Sequence, residues 1–179
     1  MYEYLLYFLI FSFLGWCLEV AFHLLKCGKL VNRGLAYGPF CPIYGVGVCL
    51  SRLLLGSVKN FFALFLLCMA VATAVEFAVG LILDKTLARR LWDYSSVRGN
   101  LSGYVCPSFS VAWGIIGALV VKFLPRFDPY LERLHTPLFM ILTGVAVSLL
   151  ILDVSLSVVI KSDIKSLPSR FKGKNAHYS

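Results

Sequence analysis

Three carboxyl residues, Glu19, Glu76 and Asp153, stand inside long apolar stretches of the chain. An acid near the centre of a membrane-crossing helix costs about 2.5–3.5 kcal/mol on insertion scales, so such residues face a shared polar interior or a wet cavity rather than lipid. A buried carboxyl holds its proton more tightly than one in water, which suits it to proton relay or, when ionised, to binding a cation. His23 follows Glu19 by four residues and Cys27 by eight, so the three share one helix face. That ladder fits a hydrogen bond from His23 to Glu19 or to headgroups, or proton relay. A metal site is conceivable from the ladder with Cys41 or Cys106 nearby, but no ligand spacing in it is diagnostic, so no metal and no cofactor is assigned. Two further segments, Asn32, Arg33, Gly34, Tyr37, Gly38, Pro39 and Trp92, Asp93, Tyr94, Ser95, Asn100, Ser102, Gly103, carry groups suited to an anionic or polyhydroxylated ligand. The candidate cavity residues are therefore Glu19, Glu76, Asp153, Asn32, Arg33, Trp92, Asp93, Tyr94 and Asn100.

The elements that must position these groups are membrane helices. Of 179 residues 59% are hydrophobic and 15% charged, and the mean hydropathy is +0.82. That balance excludes a soluble enzyme and a disordered chain. Five stretches are long and apolar enough to cross a bilayer, at about 4–25, 38–56, 60–83, 105–124 and 137–160. They form an all-α polytopic domain over 1–160, followed by a basic tail at 161–179. The 38–56 stretch carries Pro42 near its start and Arg52 near its end, which a helix accepts in its first turn and by snorkelling. The N-terminal stretch has no basic n-region and no small-residue cleavage site, so it reads as a retained helix.

Net charge is +8, but the basic residues are spread over the connections, a record of topology rather than a nucleic-acid footprint. Lys26, Lys29, Arg33, Lys85, Arg89, Arg90, Arg98, Lys161, Lys165, Arg170, Lys172 and Lys174 fall on one side; Arg52, Lys59, Lys122, Arg126 and Arg133 fall on the other. The richer side is cytoplasmic, which places the N-terminus outside and the C-terminus inside. In the connection after the third span, Lys85 to Trp92 reads as a short amphipathic helix with Leu87, Leu91 and Trp92 toward the interface. The six cysteines contain no C-x-x-C pair and lie within or beside apolar segments, so a zinc module and a disulfide framework are both excluded.

One order of features occurs twice. Glu19 is followed by Asn32, Gly34, Cys41-Pro42 and Tyr44-Gly45; Glu76 is followed by Asn100, Gly103, Cys106-Pro107 and Trp113-Gly114. This reads as a duplicated helical hairpin, a parallel repeat, with a fifth helix added. Counted from the outer ends, Glu19 is residue 16 of its span and Glu76 and Asp153 are each residue 17, so the three acids share one level.

The strings F-L-G-W-C-L-E-V, N-R-G-L-A-Y-G-P-F-C-P-I-Y-G-V-G, V-E-F, W-D-Y-S and N-x-x-G-Y-V-C together resemble the putative ABC-transporter type IV family of bacterial membrane proteins, over residues 5–125. Trp16, Glu19, Asn32, Arg33, Gly34, Gly38, Pro39, Pro42, Tyr44, Gly45, Glu76, Trp92, Asp93, Tyr94, Asn100 and Gly103 match its pattern. The resemblance implies a small multi-spanning permease of the inner membrane. No phosphate loop of the G-x-x-x-x-G-K-[ST] type, no H-E-x-x-H and no G-x-S-x-G occurs, so ATP hydrolysis by that route, metalloprotease and serine-hydrolase chemistry have no signature here. The leading expectation is a transporter or permease subunit with a cytoplasm-facing polar cavity, in the bilayer as a homodimer or with separate ATPase and permease subunits. Two alternatives stand beside it. One is a membrane enzyme acting on a lipid or isoprenoid headgroup, with Glu19 or Glu76 as base and Arg33 or Arg98 on a phosphate; the other is a non-catalytic assembly subunit.

Overall fold

The computed structural model describes residues 2–28, 34–87 and 90–166. Among them the protein is all helical, with no strand. Its helices are α1 (Tyr2–Cys27), α2 (Pro42–Leu55), α3 (Phe61–Leu87), α4 (Pro107–Phe123), α5 (Asp128–Arg133) and α6 (Pro137–Ser166), with a 3-10 turn at Leu124–Arg126. Four segments, Tyr2–Leu25, Phe61–Leu87, Pro107–Arg126 and Pro137–Ser162, are long and apolar enough to cross a membrane. In a bilayer only a helix satisfies its own backbone over such lengths.

The helix ends follow local chemistry. Gly28 closes α1 in the left-handed region at φ +66, its N–H donating to the Leu24 carbonyl at 2.8 Å, the usual role of a glycine just past a helix. Proline opens α2, α4 and α6, where its missing N–H is no loss and its fixed φ suits the first turn.

At α2 this corrects the expected span of 38–56. With Pro42 at the first helical position, and Pro39 forcing its predecessor toward extended backbone, residues 34–41 are non-helical and α2 has only 14 residues. The Cys41 N–H donates to the Ser12 carbonyl at 2.8 Å. Ser12 lies in the middle of α1, so α2 begins about 22 Å short of the C-terminal end of α1 at 1.5 Å per residue. A helix of this length spans about 21 Å, against roughly 30 Å of hydrocarbon.

The second hairpin is built likewise. Gly114 of α4 packs on Met69 and Phe65 of α3, and Gly117 packs on Cys68. Carried back along the antiparallel pair, that register puts Pro107 level with Glu76, about 16 Å before the end of α3. The offsets agree between hairpins: Gly45 packs on Ser12 and Phe8, seven and eleven residues before Glu19, as Gly114 does on residues seven and eleven before Glu76. Short α2 is central and touches α1, α3 and α4, whereas α6 rests against α1 and α3 with most of its apolar face open.

Two ends of the bundle are distinct. At one, Tyr2 bonds the Leu134 carbonyl and stacks on His135. There too, Arg52 of α2 pairs with Asp128 of α5 at 2.7 Å, while the Tyr7 hydroxyl donates to Asp128 at 2.5 Å and to the Leu124 carbonyl at 3.2 Å. At the other end lie the connections 34–41 and 90–106 and the second half of α6.

The expected amphipathic helix at Lys85 to Trp92 is not formed as a separate element by the residues described. Lys85 to Leu87 are the last turn of α3, and Leu91 to Val105 form a turn-rich segment. Trp92 does not lie out on the interface: its indole N–H donates to the Tyr104 carbonyl at 2.8 Å, and both rings close on Gly80 of α3. A backbone hydrogen-bonded to itself satisfies more groups than a two-turn helix whose ends stay open.

Candidate functional site

Where α2 and α4 begin, two carboxyls of the long helices meet two phenols. Tyr44, in the first turn of α2, donates its hydroxyl to Oε1 of Glu19 at 2.6 Å. Tyr94, on the 90–106 connection, donates to Oε1 of Glu76 at 3.0 Å. The two pairs form one group: the Tyr44 ring meets the Trp113 ring of α4 edge-on at 5.4 Å, Trp113 lies near the Glu76 carboxyl, and the Glu19 and Glu76 charges are close enough to act on each other. Cys41 and Cys106, the residues just before α2 and α4, lie against Glu19 and Tyr94 respectively.

Burial makes this centre unusual. Glu76 is 8% exposed, and although Tyr94 holds one of its oxygens, Oε2 is buried with no hydrogen-bond partner. Ser12, on the same face of α1 as Glu19 and two turns away, is wholly buried and its hydroxyl also has no partner. Buried polar groups are paired in the great majority of cases. Ser12 on α1 and Glu76 on α3 are exceptions to that rule.

The connection that carries Tyr94 is braced by the other residues singled out in it. Asn100 accepts from the Gly103 N–H at 2.9 Å and donates to the Val97 carbonyl at 2.7 Å. The Tyr94 N–H donates to the Gly103 carbonyl at 2.9 Å, and Trp92 is tied to Tyr104. Gly103 sits at φ +75, where a Cβ would run into Arg90, Asp93 and Ser95. Asp93 accepts from the Ser95 hydroxyl and N–H and faces Arg90. The Ser95 hydrogen bonds, more than Arg90, hold its carboxyl below the usual range. Arg90 also pairs with Asp84 at 3.2 Å, which accepts from the Tyr104 hydroxyl at 2.6 Å.

Asp153 serves the other connection. Its carboxylate accepts from the N–H groups of Gly38 at 2.8 Å and Tyr37 at 3.1 Å. Two turns further along α6, the Lys161 ammonium donates to the Leu35 carbonyl at 2.6 Å. Residues 34–41 run at the depth of α1, where water cannot satisfy irregular backbone, and these two charged side chains of α6 do so instead.

Of the nine residues read as lining a cavity, the structure brings Glu19, Glu76 and Tyr94 together. Trp92, Asp93 and Asn100 shape the loop that aims Tyr94, and Asp153 holds the 34–41 segment. Asn32 and Arg33 lie outside the described residues. Tyr44 and Trp113 belong to the centre but are not among the candidate cavity residues: in sequence Tyr44 reads as a repeat feature and a match to the family pattern, and Trp113 as a repeat feature. A cleft of about 400 Å³ between α1 and α4, lined by Tyr7, Leu14, Leu119, Phe123 and Leu131, is wholly apolar. A second of about 240 Å³ lies by Gly56, Lys59 and Lys122, and neither is lined by the three acids. Among the described residues no group of three or more His, Cys, Asp or Glu is placed to hold a metal ion.

Residues 6–158 match the sequence model of a family described as putative ABC-transporter type IV. No curated protein matches, and no solved structure matches.

Proposed function

The chain belongs to the putative ABC-transporter type IV family, and on that basis we propose that it is a permease-like subunit whose solute path runs through the centre at Glu19 and Glu76. The observation that carries this reading is Glu76, buried to 8% exposure with one carboxyl oxygen unpartnered. A short helix that begins level with the middle of its neighbour, as α2 does, is a usual setting for a solute site, because irregular backbone there is tolerated only beside protein or a polar path. The path opens toward the end that holds the 34–41 and 90–106 connections. Lysine and arginine put that end in the cytoplasm, and Tyr94, with the loop braced by Trp92, Asp93 and Asn100, is the group that must move to admit a solute. Asp153 keeps the wall of that entrance in place.

The equal offsets of Gly45 and Gly114 from the two glutamates support a duplicated hairpin, with α6 added to it. A separate ATPase subunit or a second permease copy completes the assembly in this reading.

The test is thermal unfolding of the purified protein against a panel of ions, polar metabolites and headgroup analogues, with Glu19→Gln and Glu76→Gln alongside. A compound that raises the Tm of the wild type and not of the variants supports the reading. A panel without effect, together with equal loss of stability in both variants, makes the carboxyls structural and refutes it.

A further inference from the structure

We propose that Glu76 binds one exchangeable proton, its loss opposed by burial and by the neighbouring carboxyl of Glu19. The inference deepens the transport reading and rests on it for the use of the proton, not for its chemistry. Among the described residues the groups that act on Glu76 are neutral or acidic: Tyr94 from the 90–106 connection, Trp113 from α4 and Glu19 from α1; Tyr44 of α2 lies beyond them against Glu19, and Cys106 against Tyr94. Among the described side chains of α6 at this half of the bundle, the charged ones, Asp153 and Lys161, are held by residues 35–38. His23 lies one turn beyond Glu19 on α1 and is half-buried.

A carboxylate out of water without a countercharge is costly, and a second carboxylate nearby raises the cost. A proton placed on a lone pair of Oε2, delivered by hydronium and leaving water behind, removes that charge. The reverse step returns the proton to water or to Glu19, and no other reactant is needed. A metal ion would remove the charge too, but among the described residues no group of three or more His, Cys, Asp or Glu is placed to hold one. Tyr94 couples the site to the loop, because its hydroxyl holds one oxygen while the other is left for the proton.

Infrared difference spectroscopy of the full chain in lipid nanodiscs, with carboxyl-labelled glutamate, reads the protonated carboxyl directly between about pH 5 and pH 9. The expected result is a protonated-glutamate band near neutral pH that disappears on alkalinisation and is absent in Glu76→Gln. Should that variant not fold, Glu19→Gln and Tyr94→Phe are both expected to displace the pH at which the band is lost. The proposal is overturned by the absence of such a band, by its persistence in Glu76→Gln, by its indifference to both other variants, or by its removal at fixed pH when sodium, potassium or magnesium is added. A solute that stabilises the wild type through Glu76 while no proton is found there would sink the proton and leave the transport reading standing. Proton binding with no solute and no flux would do the opposite.

Discussion

Asp128 illustrates how charge is kept near an apolar core. Burial alone would raise its pKa, but hydrogen bonds from Arg52 and Tyr7 outweigh that and leave it below the ordinary 3.8. A carboxyl with a depressed folded value contributes stability above its unfolded value and loses it as pH falls through the folded one. The stability difference between wild type and Asp128→Asn in detergent is therefore expected to be constant from neutral pH down to about pH 5 and to shrink below about pH 4. A difference that grows on acidification would contradict the pairing. At the centre, Tyr44→Phe removes the hydroxyl that holds Glu19. The expected cost is about 1–3 kcal/mol, the penalty for a buried acceptor left unmade, seen as a lower Tm. Which residues matter was partly legible in sequence: acids inside apolar runs announce themselves, and Glu19 and Glu76 do meet. What Asp153 touches was not legible, because its partners are backbone N–H groups of a segment whose path depends on where α2 starts.

Among the elements, the long helices were plain from apolar run length, since an α-helix is the only way to bury twenty such residues in lipid. The second span was harder, because hydropathy continues through residues 38–41 while proline chemistry stops the helix at Pro42. Run length measures how much chain is in the membrane; only backbone geometry says how much of it is helical. The non-helical segment should be the place where loss of Asp153 is felt. In Asp153→Ala the amides of Tyr37 and Gly38 are expected to exchange with solvent faster than in the wild type, with α3 and α4 unchanged; unchanged exchange at those two amides would remove Asp153 from this role. Helix contact is equally specific. A Cβ at Gly45 would meet the Phe8 carbonyl at 2.5 Å, so Gly45→Val is expected to destabilise by about 1–3 kcal/mol through overpacking, and an unaltered Tm would mean that α1 and α2 are not this close.

The whole molecule has two unlike ends, and the assignment of one to the cytoplasm can be checked on intact cells. With Cys27, which is exposed at the loop end, as the sole cysteine, a membrane-impermeant maleimide is expected to leave the protein unlabelled. With Lys59→Cys as the sole cysteine it is expected to label; the reverse pattern inverts the topology. Helix order and pairing were readable from the sequence because hairpins are local, whereas the joining of the hairpins by Tyr44 and Trp113 depends on contacts that no periodicity encodes. The Arg52–Asp128 pair bears on how the chain is made. Its partners are 76 residues apart, and α2, short and with an arginine in its last turn, has little to commend it to the insertion machinery by itself. During synthesis Arg52 has to wait at the membrane surface until α3, α4 and the turn bearing Asp128 have been made. The first hairpin is thus completed late, and a ribosome-bound chain stalled before Asp128 should still expose α2 to water.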